Sequence, residues 1–266
     1  MTTTREPLLD VRGATKYFGG VAAVQGVDMR IERGEMVGLI GPNGAGKTTF
    51  INLITGMELL TSGSVRFRGR DLAGAGTYRI GRMGIARTFQ VVKPFRNLSV
   101  RENVAVGAMF GAGGAKRSSR HAFARADEVL AFVGMDALLA RRADQLTVPD
   151  LKRLELAKAL AMDPLLLLLD EVMAGLNSRE IEDAMALIRK VNAGGVTVLV
   201  IEHVMKAIVG LSSRVVVLQF GQKIAEGSPA EVMRNPEVVK AYLGDKYAQR
   251  LAERAAAQRV AGSTDA

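Results

Sequence analysis

Residues 41–49 read Gly-Pro-Asn-Gly-Ala-Gly-Lys-Thr-Thr. Glycines at 41, 44 and 46 let the backbone turn so that successive N–H groups converge on one point, where a helix starting near Gly46 adds positive potential. A loop of this spacing holds phosphate. Gly41, Pro42, Asn43, Gly44, Ala45, Gly46 and Thr49 wrap the group, and Lys47 reaches the terminal phosphates. Thr48 places a hydroxyl where a magnesium ion bridging two of them is ligated. A second constellation, Asp170-Glu171, follows the apolar run Leu165 to Leu169. At the C-terminal end of a buried strand, Asp170 is positioned to hold magnesium through its water shell, and Glu171 to polarise the water attacking the terminal phosphate. Alternatively, one of the two acids caps the following helix. Against that stands the cost of burying carboxylates at a strand end without a cation.

The apolar run Met36 to Ile40 supplies the strand before the phosphate loop, and Phe50, Ile51, Leu53 and Ile54 carry the helix after it toward a core. Residues 7–36 alternate apolar and polar, with turn signals at Gly13, Gly19-Gly20 and Gly34. Residues 64–68 repeat the alternation, which predicts antiparallel strands beside the loop. From about Val91 to Leu160 the spacing of Phe123, Ala126, Leu130 and Val133 predicts a helical insertion. Pro164 ends the preceding helix, and Leu165 to Leu169 reads as a strand buried on both faces. Asn177 to Val191 reads as a helix with Asn177 as N-cap, Glu180 three residues on, and Gly194-Gly195 as the stop. Val196 to Ile201 is the next buried strand, so helices alternate with parallel strands. A hairpin is expected over Arg214 to Ala225, turning at Phe220-Gly221, with short helices near Pro229 and Pro236. The Ala- and Arg-rich end, 246–266, reads as an exposed helix or a disordered tail. No internal repeat is seen.

The chain has 266 residues, a formal net charge of +9 and no cysteine. No apolar run approaches the roughly 18 to 20 residues that span a bilayer, and the N-terminus lacks the apolar segment of a secretion signal. The missing signal segment and the absence of cysteine for disulfides point to the cytoplasm. Much of the positive excess lies in Arg82, Arg87, Lys93, Arg96, Lys116, Arg117, Arg120 and the tail. Without interleaved aromatics to stack bases, this charge reads as solvation plus proximity to acidic lipid headgroups, and no nucleic acid is expected.

With these motifs in this order, the chain resembles the ATP-binding subunits of ABC transporters over nearly its whole length. Gln90 in Ala-Arg-Thr-Phe-Gln stands where that family has its Q-loop glutamine, and His203, directly after a buried strand, where it has its switch histidine. The resemblance implies an α/β fold of the P-loop NTPase, RecA-like type. A mostly parallel core sheet would carry an antiparallel β subdomain and an inserted α-helical subdomain. It implies one domain over 1–245, with its core in 1–90 and 160–245 and helices in about 91–159. ATP and Mg2+ are the implied cofactors. Gln90 would sense the magnesium and the attacking water, and His203 would contact the terminal phosphate. Otherwise His203 is a satisfied core histidine; His121 belongs to no motif. Phe18 occupies the position that stacks on adenine, unless it packs in the small sheet and Tyr17 stacks instead.

One motif departs from the family pattern. Leu146-Thr147-Val148-Pro149-Asp150 replaces Leu-Ser-Gly-Gly-Gln, a segment that in the family closes on the phosphate bound by the opposite subunit. Thr147 keeps the hydroxyl. Pro149 removes one N–H, and Asp150 can pair with Thr147 as a cap while adding negative charge. The expectation is weaker clamping from this side, one lost charge-assisted donor being worth on the order of 1.5 to 3 kcal/mol. Asn177 replaces the commoner D-loop aspartate, and Val172 a proline; Glu171 is kept, and with it hydrolysis.

The long insertion after Gln90, the segment Val172 to Asn177, and the ending Asn235-Pro236-Glu237 with Ala241 to Gly244 are similar to the ATPases of branched-chain amino acid importers. That resemblance implies a second ATPase subunit, integral membrane permeases, an external substrate-binding protein, and a peripheral place on the cytoplasmic face of the inner membrane. Val91, Val92, Pro94, Phe95 and Leu98 would receive a short permease helix, or else make ordinary loop-to-helix contacts. Other cargoes, namely amides, urea or exported lipopolysaccharide, and a soluble non-transport ABC ATPase are the alternatives.

Overall fold

The structure, a computed structural model, describes residues 6–112 and 118–243. Lys116, Arg117 and the 246–266 tail lie outside the described residues. The chain opens with β1 (Leu9–Phe18) and β2 (Val21–Ile31), then β3 (Met36–Ile40), the phosphate loop and α1 (Lys47–Ile54). There follow β4 (Ser62–Phe67), β5 (Arg70–Asp71), α2 (Thr77–Met83) and β6 (Ile85–Arg87), and then three helices: α3 (Val100–Phe110), α4 (Ser119–Phe132) and α5 (Val148–Ala161). The last third alternates β7 (Leu166–Asp170), α6 (Ser178–Ala193), β8 (Thr197–Ile201), α7 (Met205–Leu211) and the hairpin β9 (Arg214–Gln219) and β10 (Gln222–Gly227). It ends in α8 (Pro229–Arg234) and α9 (Pro236–Leu243).

Two sheets result. One is antiparallel in the order β2-β1-β4-β5; the other runs β10-β9-β3-β8-β7-β6, parallel except for its edge strand β10. The inner strands β3, β7, β8 and β9 are buried on both faces because they are largely apolar runs whose side chains alternate between two cores. Val37, Leu39, Leu166, Leu168, Leu199 and Ile201 face the antiparallel sheet and α1. Met36, Ile40, Leu167, Leu169, Val198 and Val200 face the helices. The acid pair and the histidine therefore emerge at strand ends fixed by burial on both sides.

The helices are set by caps the sequence carries. Ser99 and Glu102 form a capping box on α3, Asn177 and Glu180 one on α6, and Thr147 caps α5. Within the insertion α3 and α5 touch closely: a Cβ at Gly107 would lie 2.4 Å from the Lys158 carbonyl oxygen. The insertion becomes helical only at Val100, and residues 91–98 form an irregular segment with no helix or strand. Gly13 is not a turn. It sits inside β1 at φ +57°, where the pairing with β2 shifts register, so a left-handed residue gives a bulge rather than a reversal.

Candidate active site

Strand β3 delivers the chain into a loop whose glycines are fixed by geometry. Gly41 (φ +154°) and Gly46 (φ +96°) adopt backbone conformations that L side chains rarely reach, and an added Cβ would lie 2.2 Å from the Leu218 carbonyl oxygen and 2.3 Å from that of Ala23, respectively. The loop lines a cavity of about 490 Å³ together with Val21, Ala22, Ala23, Gln90, Glu171 and Phe220, a volume in the range of small-molecule sites. Lys47 is buried and donates from Nζ to the carbonyls of Gly41 (2.6 Å) and Pro42 (3.0 Å). Burial pushes its ammonium below the ordinary lysine value, while the nearby Glu171 and Asp170 carboxylates oppose the shift.

Opposite the loop, Glu171 is held at both oxygens. Gln90 donates from Nε2 to Oε2 at 2.5 Å, and His203 Nε2 lies 2.5 Å from Oε1. Its backbone is left-handed at φ +51°, a costly conformation for a residue with a Cβ. Its N–H is pinned to the Ile201 carbonyl and its own carbonyl accepts from Lys152 Nζ at 3.1 Å. Phe220 is the second left-handed residue with a side chain at the cavity. From the other end of the chain, Tyr242 of α9 meets the Gly41 backbone N–H, a contact that opposes the upward push of burial on its phenol.

Asp170, almost fully buried, meets a cation supplied by the chain itself. Arg87 Nη2 donates to Asp170 Oδ2 at 2.7 Å, and the pair is shielded from solvent. This corrects the reading of Arg87 as solvating or lipid-directed charge: β6 lies beside β7, and the pairing of Arg87 with Leu168 carries the guanidinium to the buried end of the neighbouring strand. The cation demanded by the buried-acid argument is thus present as an arginine. Glu202, 1% exposed, accepts from the Met173 N–H at 2.8 Å and sits one residue before His203.

The cavity gathers Asn43, Gly44, Ala45, Gly46, Lys47, Thr48, Thr49, Gln90 and Glu171, with His203 bonded to Glu171. Gly41 and Pro42, whose carbonyls accept from Lys47, do not line it, and neither do Asp170, Phe18 and Thr147. Phe18, at the end of β1, is 47% exposed under the Lys16 ammonium, 4.8 Å from its ring centroid; Val21, its partner across the turn, reaches the cavity. Thr147 caps α5 and donates its hydroxyl hydrogen to Asp150 Oδ2 at 2.7 Å. Arg87, Glu202 and Phe220 are additions that sequence reasoning did not place at the site. For Arg87 the only signal was its place three residues before Gln90. His121 is exposed beside Ser118.

Residues 24–174 match the family described as ABC transporter, and residues 222–248 the one described as branched-chain amino acid ATP-binding cassette transporter. The high-affinity branched-chain amino acid transport ATP-binding protein BraF of Pseudomonas aeruginosa is 39% identical over 90% of this chain and 98% of its own length. LivG of Escherichia coli, named for the same transport, is 38% identical over 90% and 99%. Among solved structures, a nucleotide-free ATP-binding cassette from an ABC transporter superposes with a TM-score of 0.82 at 29% identity, covering 90% of this chain and all of that one. An ADP-conformation cassette gives 0.81 with the same coverage and identity.

Proposed function

The chain belongs to the ABC transporter family of ATP-binding proteins, and on that premise we propose that it is the ATP-hydrolysing motor subunit of an importer for branched-chain or related amino acids. The observation that carries the chemistry is the clamp of Gln90 and His203 on the two oxygens of Glu171, in the same cavity wall as Lys47 and the phosphate loop. The loop N–H groups and Lys47 bind the phosphates of ATP. Glu171 is the general base that takes a proton from the attacking water. Gln90 orients Glu171 and that water. His203 holds the carboxylate and would contact the terminal phosphate.

The donors around the cavity are hard oxygens, which suits Mg2+. Thr48 and Gln90 would hold the ion directly and Asp170 through water, Oδ1 being the oxygen that Arg87 leaves unused. Held there, the ion would supply positive charge against the negative charge that develops on the phosphate oxygens. Phe18, exposed at the end of β1, would stack on the adenine.

The cargo follows from the names of the relatives and from the match over 222–248. Among the described residues no helix is long and apolar enough to cross a membrane, so translocation falls to permease subunits. Val91 and Phe95, 69% and 49% exposed in the irregular segment after Gln90, are the apolar side chains offered to them, with Val92, Pro94 and Leu98 beside. A second ATPase subunit completes the motor, Thr147 of each facing the phosphate of the other. A binding protein outside delivers the amino acid, and the subunit works peripherally at the cytoplasmic face of the membrane.

Purified protein and its Glu171→Gln variant, assayed for nucleotide binding and phosphate release, test the chemistry. The variant is expected to bind ATP and to lose about 10²- to 10⁴-fold in turnover; unchanged hydrolysis removes Glu171 from the mechanism. Copurification from detergent-solubilised membranes with ATP tests the transport arm. Multi-span permeases support it, whereas ribosomes or DNA-repair proteins would overturn it and leave the ATP site intact.

A further inference from the structure

Arg87 touches more of the active-site framework than a counterion needs to. Its Nη2 holds Asp170 Oδ2 at 2.7 Å, and its Nη1 donates to Asn52 Oδ1 at 2.6 Å. Asn52 is on α1, the helix whose first turn carries Lys47 and Thr48; Asp170 ends β7; Arg87 itself ends β6, three residues before Gln90. Thr88 adds a second tie to the same acid, its Oγ1 accepting from the Asp170 N–H at 3.1 Å. The guanidinium fork is buried so deeply that its Nε finds no hydrogen-bond partner among the described residues. That is a cost which an apolar pair of similar volume would avoid.

We propose that Arg87 is a positioning residue that sets the spacing of the three magnesium donors, Thr48, Gln90 and Asp170, by bridging the three elements that carry them. It fixes the Asp170 carboxylate by one oxygen, leaving Oδ1 for the ion's water shell, and it anchors α1 to the root of the segment leading to Gln90. The planar fork is what makes this possible: a lysine ammonium keeps the charge and cannot hold both partners in fixed register. The proposal rests on the ATPase reading of this site.

The test compares wild type with Arg87→Lys and with Asn52→Leu, which keeps the ion pair and removes the second anchor. Three quantities are read: nucleotide binding in EDTA, the Mg2+ concentration for half-maximal hydrolysis, and kcat at saturating Mg2+. Both variants are expected to bind nucleotide in EDTA as wild type does and to need at least fivefold more Mg2+. Arg87→Lys should also lose tenfold or more in kcat, and the double variant should be no worse than Arg87→Lys alone. An unchanged Mg2+ requirement in Asn52→Leu overturns the proposal even where Arg87→Lys fails to fold. So does a change confined to melting temperature. If wild type itself releases no phosphate, the ATPase reading fails instead.

Discussion

Replacing Glu202 with glutamine is expected to remove a pH dependence of stability that wild type shows between about pH 4.5 and 7. Glu202 directly follows β8, with 1% of its surface exposed. Burial pushes its carboxyl from the usual 4.5 up to about 7, and the Glu171 carboxylate adds to the rise. The N–H groups of Met173 and His203 and the Lys152 ammonium act the other way. Between those two values the folded protein holds a proton that the unfolded chain has lost, so the free energy of unfolding falls as pH rises. The stabilisation is complete below about 4.5 and gone above about 7. A difference of roughly 2.5 pKa units corresponds to about 3 kcal/mol across the window. Glutamine keeps an oxygen for the Met173 N–H and does not titrate. Urea unfolding of both proteins at pH 5 and pH 8 gives the comparison: on going to pH 8, wild type should lose up to about 3 kcal/mol more than the variant. Carboxylates held low by arginines, Asp10 and Asp127 among them, lose their contribution as pH falls through values below about 4, outside this window. Equal pH slopes in wild type and Glu202→Gln would refute the reasoning, because no other change in the variant titrates there.

Gly46→Ala should abolish nucleotide binding, measured by fluorescent-ATP titration, since its Cβ at φ +96° meets the Ala23 carbonyl at 2.3 Å and the loop must shift. Gly107→Ala, far from the cavity, forces α3 off α5 and is expected to cost about 1 to 3 kcal/mol in urea unfolding with nucleotide binding retained. Asn177→Ala removes a side chain that accepts from both Arg179 and Glu180 N–H groups, and should cost about 1 kcal/mol by the same measurement. Leu167→Ala, fully buried between sheet and helices, should cost about 2 to 5 kcal/mol.

The phosphate loop was legible because its function requires contiguous backbone N–H groups, and contiguity is what a sequence displays. Strands β3, β7 and β8 were legible for a related reason: each is built on a run of apolar residues, and burial on both faces leaves such a run little choice. The caps Asn177 and Thr147 are equally local, and both sit where their types and spacing place them. Gly13 was misread because a glycine with positive φ serves a bulge as well as a turn, and only the register with β2 distinguishes them.

Arg87, Glu202 and Phe220 were missed for a different reason. Each acts through a neighbour distant in sequence: Arg87 on Asp170, Glu202 on Met173, and Phe220 in a hairpin whose Gly221 packs against Ala23. Which strands lie side by side is decided by topology, and with it which charges become buried partners. Lys47 follows β3, Gln90 follows β6, Asp170 ends β7 with Glu171 next to it, and His203 follows β8, so these groups all leave the C-terminal ends of parallel strands in one sheet. Nucleotide chemistry needs those groups at strand ends. Once there, their carboxylates act on one another, as Glu171 does on Glu202, and the protein must supply internal partners for them. Arg87 for Asp170, the Gln90 and His203 hydrogen bonds for Glu171, and a carboxyl pKa pushed up to about 7 for Glu202 are three solutions to that one problem. It follows that substitutions at these partners should alter metal and pH responses before they alter nucleotide binding, in which the loop holds the phosphates.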